Sequence, residues 1–91
     1  MKFNTKVIHG NQHHDPSTGA VMPPVYQTST FVQTSPGVPL AEYEYSRAAN
    51  PTRTALEQAL ASIENGVRGL AFASGLAATD SVMKLLKPGD E

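Results

Sequence analysis

The stretch GLAFASGLAATD, residues 69–80, decides the fold class of this chain. Residues 69–73 place apolar side chains at consecutive positions, which is typical of a short strand buried on both faces of a parallel sheet. After Ser74 and Gly75, apolar residues recur at helical spacing until Lys87-Pro88-Gly89 interrupts the pattern. A strand that turns directly into a helix predicts an α/β fold.

The segment before this strand predicts another helix. Asn50 is a favourable N-cap, Pro51 suits the first helical position, and Gly66 is expected to end the helix. The pair Glu57 and Glu64 has the spacing of solvent-facing residues. The apolar stripe predicted to face the core consists of Ala55, Leu56, Ala59, Leu60 and Ile63.

The predicted order of helix, strand, turn and helix lacks the second parallel strand that such a unit needs. We therefore expect residues 50–91 to be the start of a larger α/β domain, and the chain to be a fragment of a longer protein. The alternative is a self-sufficient small fold, in which residues 25–32 (VYQTSTFV) pair with residues 69–73.

Residues 1–49 predict an extended N-terminal arm. This half is rich in proline and holds no apolar period that lasts more than a few positions, and DPSTG at 15–19 is a turn signal. Its apolar residues are too irregular for a separate core, so we expect the arm to lie across its own domain or a neighbouring subunit. A disordered tail is the alternative.

Composition excludes several classes of function. Seven Lys and Arg against eight Asp and Glu leave a net charge of −1, so no basic field attracts nucleic acid or an anionic membrane. The chain has no cysteine, and no apolar stretch approaches the about 20 residues of a membrane span. No metal site is expected, because no predictable arrangement of metal ligands is formed by His9, His13, His14 and Asp15. We expect a soluble, cytoplasmic protein.

Two segments are candidate anion sites. A strand that turns through Ser74 and Gly75 into a helix directs unpaired backbone N–H groups outward, and the hydroxyl of Ser74 or Thr79 can add a hydrogen bond to a phosphate. The alternative is that Ser74 is only an N-cap.

The second candidate lies in YEYSRAANPTR, residues 43–53. If residues 43–47 are extended, Tyr43, Tyr45 and Arg47 share one side, and phenol and guanidinium groups together suit a dianion. A surface salt bridge from Arg47 to Glu42 or Glu44 is the alternative.

Four consecutive blocks of the sequence carry a resemblance to a known family. The blocks are KVIHGNQ at 6–12, DPSTGAVMPPVYQTSTF at 15–31, YEYSRAANPTRTALEQALASIENG at 43–66 and GLAFASGLAA at 69–78. In this order and spacing they resemble the N-terminal part of the Cys/Met-metabolism family of pyridoxal-phosphate enzymes. These transsulfuration enzymes include cystathionine γ-synthase, cystathionine γ-lyase, cystathionine β-lyase and methionine γ-lyase.

The resemblance implies a fold, a cofactor and its ligands. The fold is the large domain of the aspartate-aminotransferase-like fold type I, here incomplete, and the cofactor is pyridoxal 5′-phosphate. Ser74, Gly75 and Leu76 correspond to the turn that holds the cofactor phosphate, with Leu76 where methionine is more usual. Tyr45 and Arg47 correspond to residues that reach the cofactor phosphate of a neighbouring subunit, which implies a homo-oligomer, a dimer of dimers.

The resemblance also implies limits. His9-Gly10-Asn11-Gln12 departs from the family's HGGQ, and whether Asn11 can take the glycine conformation is open. Pyridoxal chemistry needs a lysine that binds the cofactor covalently, and in the family this lysine lies later in the chain. None of the lysines of this chain stands in a matching context, so we predict no catalytic residue here and no activity for the 91 residues alone. These lysines are Lys2, Lys6, Lys84 and Lys87.

The implied function is formation or cleavage of a C–S bond of a sulfur amino acid or homoserine ester. Cystathionine γ-synthase or γ-lyase is the first expectation, with methionine γ-lyase or cystathionine β-lyase as the alternative. A noncatalytic fragment or interaction arm is the alternative of another class. We expect Arg47→Ala to weaken cofactor binding more than Arg53→Ala does.

Overall fold

The computed structural model describes all residues from 1 to 91 as three helices and one small hairpin. The hairpin is antiparallel, pairs Gln33 with Pro39 and Ser35 with Val38, and has an irregular register between these pairs. In chain order the elements are α1 (Phe3–His9), β1 (Gln33–Ser35), β2 (Val38–Pro39), α2 (Pro51–Ile63) and α3 (Gly75–Met83).

Helix α2 confirms the helix predicted after Asn50. The Asn50 side chain accepts a hydrogen bond of 2.8 Å from the N–H of Thr52, and Pro51 is the first helical residue. The helix ends at Ile63, before the predicted end at Gly66. Asn65, with φ of 53°, takes the left-handed conformation that a helix end often requires, and Gly66 donates its N–H to the carbonyl of Ala61.

Helix α1 lies in the segment that was expected to be extended, so that expectation is wrong for Phe3–His9. The helix packs against α2, and Lys6 Nζ donates to Oδ1 of Asn65, just after the end of α2, at 2.7 Å. Gly10, which is buried, ends α1 so close to α2 that a Cβ atom there would lie 2.6 Å from Ser62 Oγ. A helix of seven residues is unstable by itself, and the contact with α2 that stabilises it leaves no mark in the local sequence pattern.

The predicted strand at residues 69–73 is not observed. A strand exists only where neighbouring strands accept and donate its backbone hydrogen bonds, and none of the backbone groups of residues 69–73 is paired in this way. The Ala71 N–H instead donates to the carboxylate of Glu57 at 3.0 Å. The alternative pairing with residues 25–32 is also absent.

Residues 29–31 pair instead with the segment around Tyr45. Thr30 and Tyr45 form an antiparallel bridge, the N–H of Phe31 donates to Glu44 O at 3.1 Å, and that of Ser46 donates to Ser29 O at 2.8 Å. These bonds connect two parts of the predicted arm to each other.

The turn predicted at residues 15–19 is confirmed. The hydroxyls of Thr18 and Ser17 donate to the Asp15 carboxylate at 2.6 and 2.7 Å, and the Gly19 N–H donates to Asp15 O at 2.7 Å. The hydroxyl of Thr18, followed by that of Ser17, lowers the pKa of Asp15 because both stabilise the charged form. Gly19 has a φ of 77°, in the left-handed region that glycine tolerates.

Helix α3 begins where the sequence predicted and ends earlier. Ser74 is its N-cap, and its last helical residue is Met83. Single turns follow, in which Leu85 and Leu86 donate to the carbonyls of Val82 and Met83. None of the three helices has the length and apolar character needed to cross a membrane.

Candidate functional site

The first turn of α3 carries two backbone N–H groups without a hydrogen-bond partner. Ser74 Oγ accepts from Ala77 N at 3.1 Å, and the carbonyl of Ser74 accepts from Ala78 N at 3.2 Å. The N–H groups of Gly75 and Leu76 form no hydrogen bond within the chain. Residues 74–76 are called the serine turn below.

The serine turn is open to a ligand. A Cβ atom built on Gly75 would meet nothing within 4 Å, and Leu76 is 79% exposed. Two free N–H groups at the positive end of a helix dipole suit an anion such as phosphate. Ser74 Oγ accepts the capping bond and still carries its own proton, so capping and ligand binding are compatible.

Thr79 does not join this site in the structure. Its hydroxyl donates to the Gly75 carbonyl at 3.0 Å, along the helix axis. The sequence left Ser74 and Thr79 equally open as hydroxyl donors to a phosphate. The structure favours Ser74 because its proton is not already used.

Tyr45 and Arg47 lie on a tight turn, and the predicted extended alternation is wrong. The N–H groups of Ala48 and Ala49 both donate to Tyr45 O, at 3.0 and 2.9 Å. The guanidinium of Arg47 lies 4.8 Å from the centre of the Tyr45 ring, a cation–π contact. Residues 45–48 are called the arginine turn below.

Tyr43 contacts Phe31 and helix α2. Its ring lies 5.6 Å from that of Phe31, and its hydroxyl donates to Thr54 Oγ1 at 3.4 Å. Tyr43 therefore connects its segment to α2, and it lines the same cleft as Arg47. Neither Glu42 nor Glu44 forms an ion pair with Arg47, so the alternative of a surface salt bridge is also not observed.

A cleft of about 790 Å³ separates the arginine turn from the segment that leads to the serine turn. Arg47 lines this cleft together with α2 residues and with residues 67–72, whereas Tyr45 and the serine turn do not line it. The two candidate anion sites therefore do not line one common cleft.

Two residues of α2, Arg53 and Glu57, contact these segments. Arg53 donates through Nη1 to Arg47 O at 3.3 Å and through Nη2 to Ala48 O. Glu57, predicted to face solvent, has a side chain only 20% exposed and lies 3.8 Å from Arg53 Nε. The spacing of four residues between opposite charges on one helix was the signal that could have predicted this pair.

The chain offers no arrangement for a resident metal ion. No group of three or more His, Asp or Glu side chains lies close enough together to hold one.

Comparison with known proteins identifies the family of this chain. Residues 4–91 match the model of the Cys/Met metabolism PLP-dependent enzymes. The chain belongs to this family. Pyridoxal phosphate is the cofactor of the family, and the free N–H groups of the serine turn have the chemistry that its phosphate needs.

The relatives include a cystathionine β-lyase and a cystathionine γ-synthase. Cystathionine β-lyase of Coxiella burnetii is 56% identical over 88 residues, which are 97% of this chain and 22% of that protein. Cystathionine γ-synthase of Mycobacterium bovis is 48% identical over 87 residues, 94% of this chain and 22% of that protein.

A solved structure agrees with the fold. Cystathionine γ-lyase from Lactobacillus plantarum, complexed with L-serine, superposes with a TM-score of 0.83 at 50% identity. The match covers 99% of this chain and 23% of that one. The chain thus spans between a fifth and a quarter of the length of these relatives, and this part of them has the α/β fold type predicted for it.

Proposed function

We propose that these 91 residues supply the phosphate-binding and subunit-bridging part of a pyridoxal-phosphate enzyme that forms or breaks C–S bonds of sulfur amino acids or homoserine esters. The observation that carries the proposal is the serine turn. In a member of a family dependent on pyridoxal phosphate, it holds two N–H groups without partners, beside a glycine that leaves space for a ligand.

The serine turn would hold the cofactor phosphate. The N–H groups of Gly75 and Leu76 would donate to two of its oxygens and the Ser74 hydroxyl to the third, with the helix dipole favouring the negative charge. The side chain of Leu76, where methionine is more usual, takes no part because only its backbone donates. When bound, the cofactor supplies an electron sink for carbanions of the amino-acid substrate.

The arginine turn would bind the phosphate held by a neighbouring subunit. Three facts support this role: Arg47 is paired with no carboxylate, its guanidinium lies against the Tyr45 ring, and the serine turn of the same chain does not line the cleft that Arg47 lines. Each phosphate would then be bound by two chains, which requires a homo-oligomer. We propose the dimer of dimers that the resemblance implies.

The remaining chemistry would come from residues outside these 91. They include the lysine that binds the cofactor covalently and the arginine that binds the substrate carboxylate, so the 91 residues alone would be inactive. We propose that the enzyme works in the cytoplasm.

The reaction at the γ carbon, by a cystathionine γ-lyase or γ-synthase, is our first candidate. The likeness to the γ-lyase structure and to the γ-synthase sequence supports it. Cystathionine β-lyase is the second candidate because the relative from C. burnetii with that name is 56% identical. The 2-oxo acid released from cystathionine separates the lyases, since γ cleavage yields 2-oxobutyrate and β cleavage yields pyruvate. Incorporation of cysteine into a homoserine ester identifies the synthase.

Cofactor affinity of the protein, expressed at its natural length from its own gene, tests the phosphate assignment. We expect Arg47→Ala to weaken binding of pyridoxal phosphate by roughly 2–3 kcal/mol, or about 30- to 150-fold, because a charge-assisted bond is lost. Lys87→Ala is the control, since Lys87 is exposed, lies outside the cleft, and its side chain forms no hydrogen bond or ion pair. Equal retention of cofactor by the wild type and the Arg47 variant during dialysis would contradict the proposal.

A further inference from the structure

The side chains of Arg53 and Glu57 lie between the two segments assigned to phosphate binding. We propose that they are positioning residues, which fasten the arginine turn and the approach to the serine turn to one place on α2. This inference rests on the phosphate-binding role that the proposed function gives to the two turns. Neither side chain is proposed to touch the phosphate itself.

Arg53 holds the arginine turn by its backbone. Its guanidinium donates to the carbonyls of three consecutive residues, at 3.5 Å for Ser46, at 3.3 Å for Arg47, and also for Ala48. A planar fork that binds three carbonyls prevents the turn from rotating as a unit, which a single flexible donor could not do. The side chain of Arg47 stays free to bind a ligand while its backbone is fixed.

Glu57 holds the approach to the serine turn. One carboxylate oxygen accepts from the N–H of Ala71, three residues before Ser74, and the other oxygen faces Arg53. The backbone of Gly69 also lies against Glu57, because a Cβ atom at Gly69 would be within 3.0 Å of the Glu57 carbonyl oxygen. The segment is therefore fixed to one residue of α2 at two points.

The Arg53–Glu57 pair joins these two attachments. Arg53 Nε and Glu57 Oε1 are 3.8 Å apart, with side-chain exposures of 34% and 20%. At this distance and exposure the ion pair itself adds little stability. The ion pair keeps each side chain oriented toward its backbone partners. If Arg53 turned toward solvent, its hydrogen bonds to three carbonyls would be lost, and if Glu57 did so, its hydrogen bond from the Ala71 N–H would be lost.

A positioning role for Arg53 predicts an effect specific to phosphate. Pyridoxal, which lacks the phosphate group, is the matched ligand for pyridoxal phosphate. In the protein at its natural length, we expect Arg53→Ala to weaken binding of pyridoxal phosphate roughly 3- to 10-fold, as for one or two lost hydrogen bonds. Pyridoxal affinity should change less than twofold. A general loss of structure would weaken both ligands equally, and that result would overturn the proposal.

A double-mutant cycle tests whether Arg53 acts through Arg47. In the Arg47→Ala background, Arg53→Ala should change pyridoxal phosphate affinity less than twofold, because the side chain that it positions is gone. Independent, additive effects would overturn the proposal.

Arg53→Lys keeps the charge but cannot bridge three carbonyls, so it should lower the affinity for pyridoxal phosphate about 3-fold. This variant serves as the test if the alanine variant does not fold.

The Lys87→Ala control should leave the affinities for both ligands unchanged, and a phosphate-specific loss in it equal to that of Arg53→Ala would overturn the proposal. Failure of the proposed function gives a different result from failure of this inference. If Arg47→Ala does not change the ratio of the two affinities, the phosphate assignment is wrong and the positioning role falls with it. If Arg47→Ala changes the ratio and Arg53→Ala does not, only the positioning role is wrong.

Discussion

Asn11 shows how one residue meets a requirement that the family usually meets with glycine. Its φ of 54° lies in the left-handed region, so Asn11 takes the conformation that the sequence left open. Asparagine tolerates this region better than other residues with a side chain. Its amide also donates to Gln58 O on α2 at 3.2 Å, a contact that glycine cannot make.

Substitutions at Asn11 should separate backbone conformation from side-chain contact. We expect Asn11→Ala to lower the free energy of unfolding by about 1–2 kcal/mol, because alanine is strained at positive φ. Asn11→Gly removes the same hydrogen bond but introduces no backbone strain, because glycine adopts positive φ readily, so its loss should stay below about 1 kcal/mol. Urea denaturation of the protein at its natural length measures both. Equal losses would show that the hydrogen bond, and not the backbone, sets the effect.

At the scale of elements, α2 contacts the arginine turn and the segment that leads to the serine turn. Gly10, at the end of α1, and Asn11 contact α2. Within α2, Arg53 binds the arginine turn and Glu57 contacts residues 69–71. The arrangement explains why residues 69–73 keep a defined course without being in a sheet.

Gly69 is the closest approach of this segment to α2, and it gives a prediction for the element. Gly69→Ala would place a Cβ atom within 3.0 Å of the Glu57 carbonyl, so the segment must move away from the helix. We expect a loss of about 1–3 kcal/mol in the free energy of unfolding, as for other overpacked sites. Weaker binding of pyridoxal phosphate should accompany it.

Gly66→Ala is the control for this substitution. A Cβ atom at Gly66 would have its nearest neighbour at 3.7 Å, an ordinary contact, and the φ of Gly66 is not positive. Its effect on the free energy of unfolding should stay within about 0.5 kcal/mol. A loss at Gly66 as large as that at Gly69 would contradict the steric explanation.

At the scale of the whole molecule, the 91 residues do not enclose a core. Only Gly10 and Ala61 are buried, and 22 large apolar side chains are exposed. The accessible surface is 7497 Å², against about 5,100 Å² for a compact monomer of 9.7 kDa. The radius of gyration is 16.3 Å, compared with about 12 Å for a compact domain of this length.

This open shape predicts the behaviour of residues 1–91 as a separate polypeptide. We expect it to bind a hydrophobic dye strongly and to lose its circular dichroism gradually on heating, because too little apolar surface is buried for a cooperative transition. Light scattering should report association. A sharp thermal transition of a monomer with little dye binding would contradict this expectation.

The local elements were determined by the sequence because their causes lie within a few residues. Asn50 and Pro51 begin α2, Ser74 begins α3, and Asp15 organises its turn, each through groups at most five positions away. The family followed from four blocks in order. These features need no knowledge of what the segments contact.

Tertiary structure decided what depends on residues far apart in the chain. Helix α1 exists because α2 supports it, residues 69–73 lack a strand because no strand is beside them, and Glu57 is shielded because Ala71 reaches it from 14 positions away. The arginine turn is an intermediate case, because Arg53 binds its carbonyls from five to seven positions later in the chain. A residue's own neighbours set its conformational preferences, but only a partner from elsewhere in the fold can satisfy its hydrogen bonds and cover its surface.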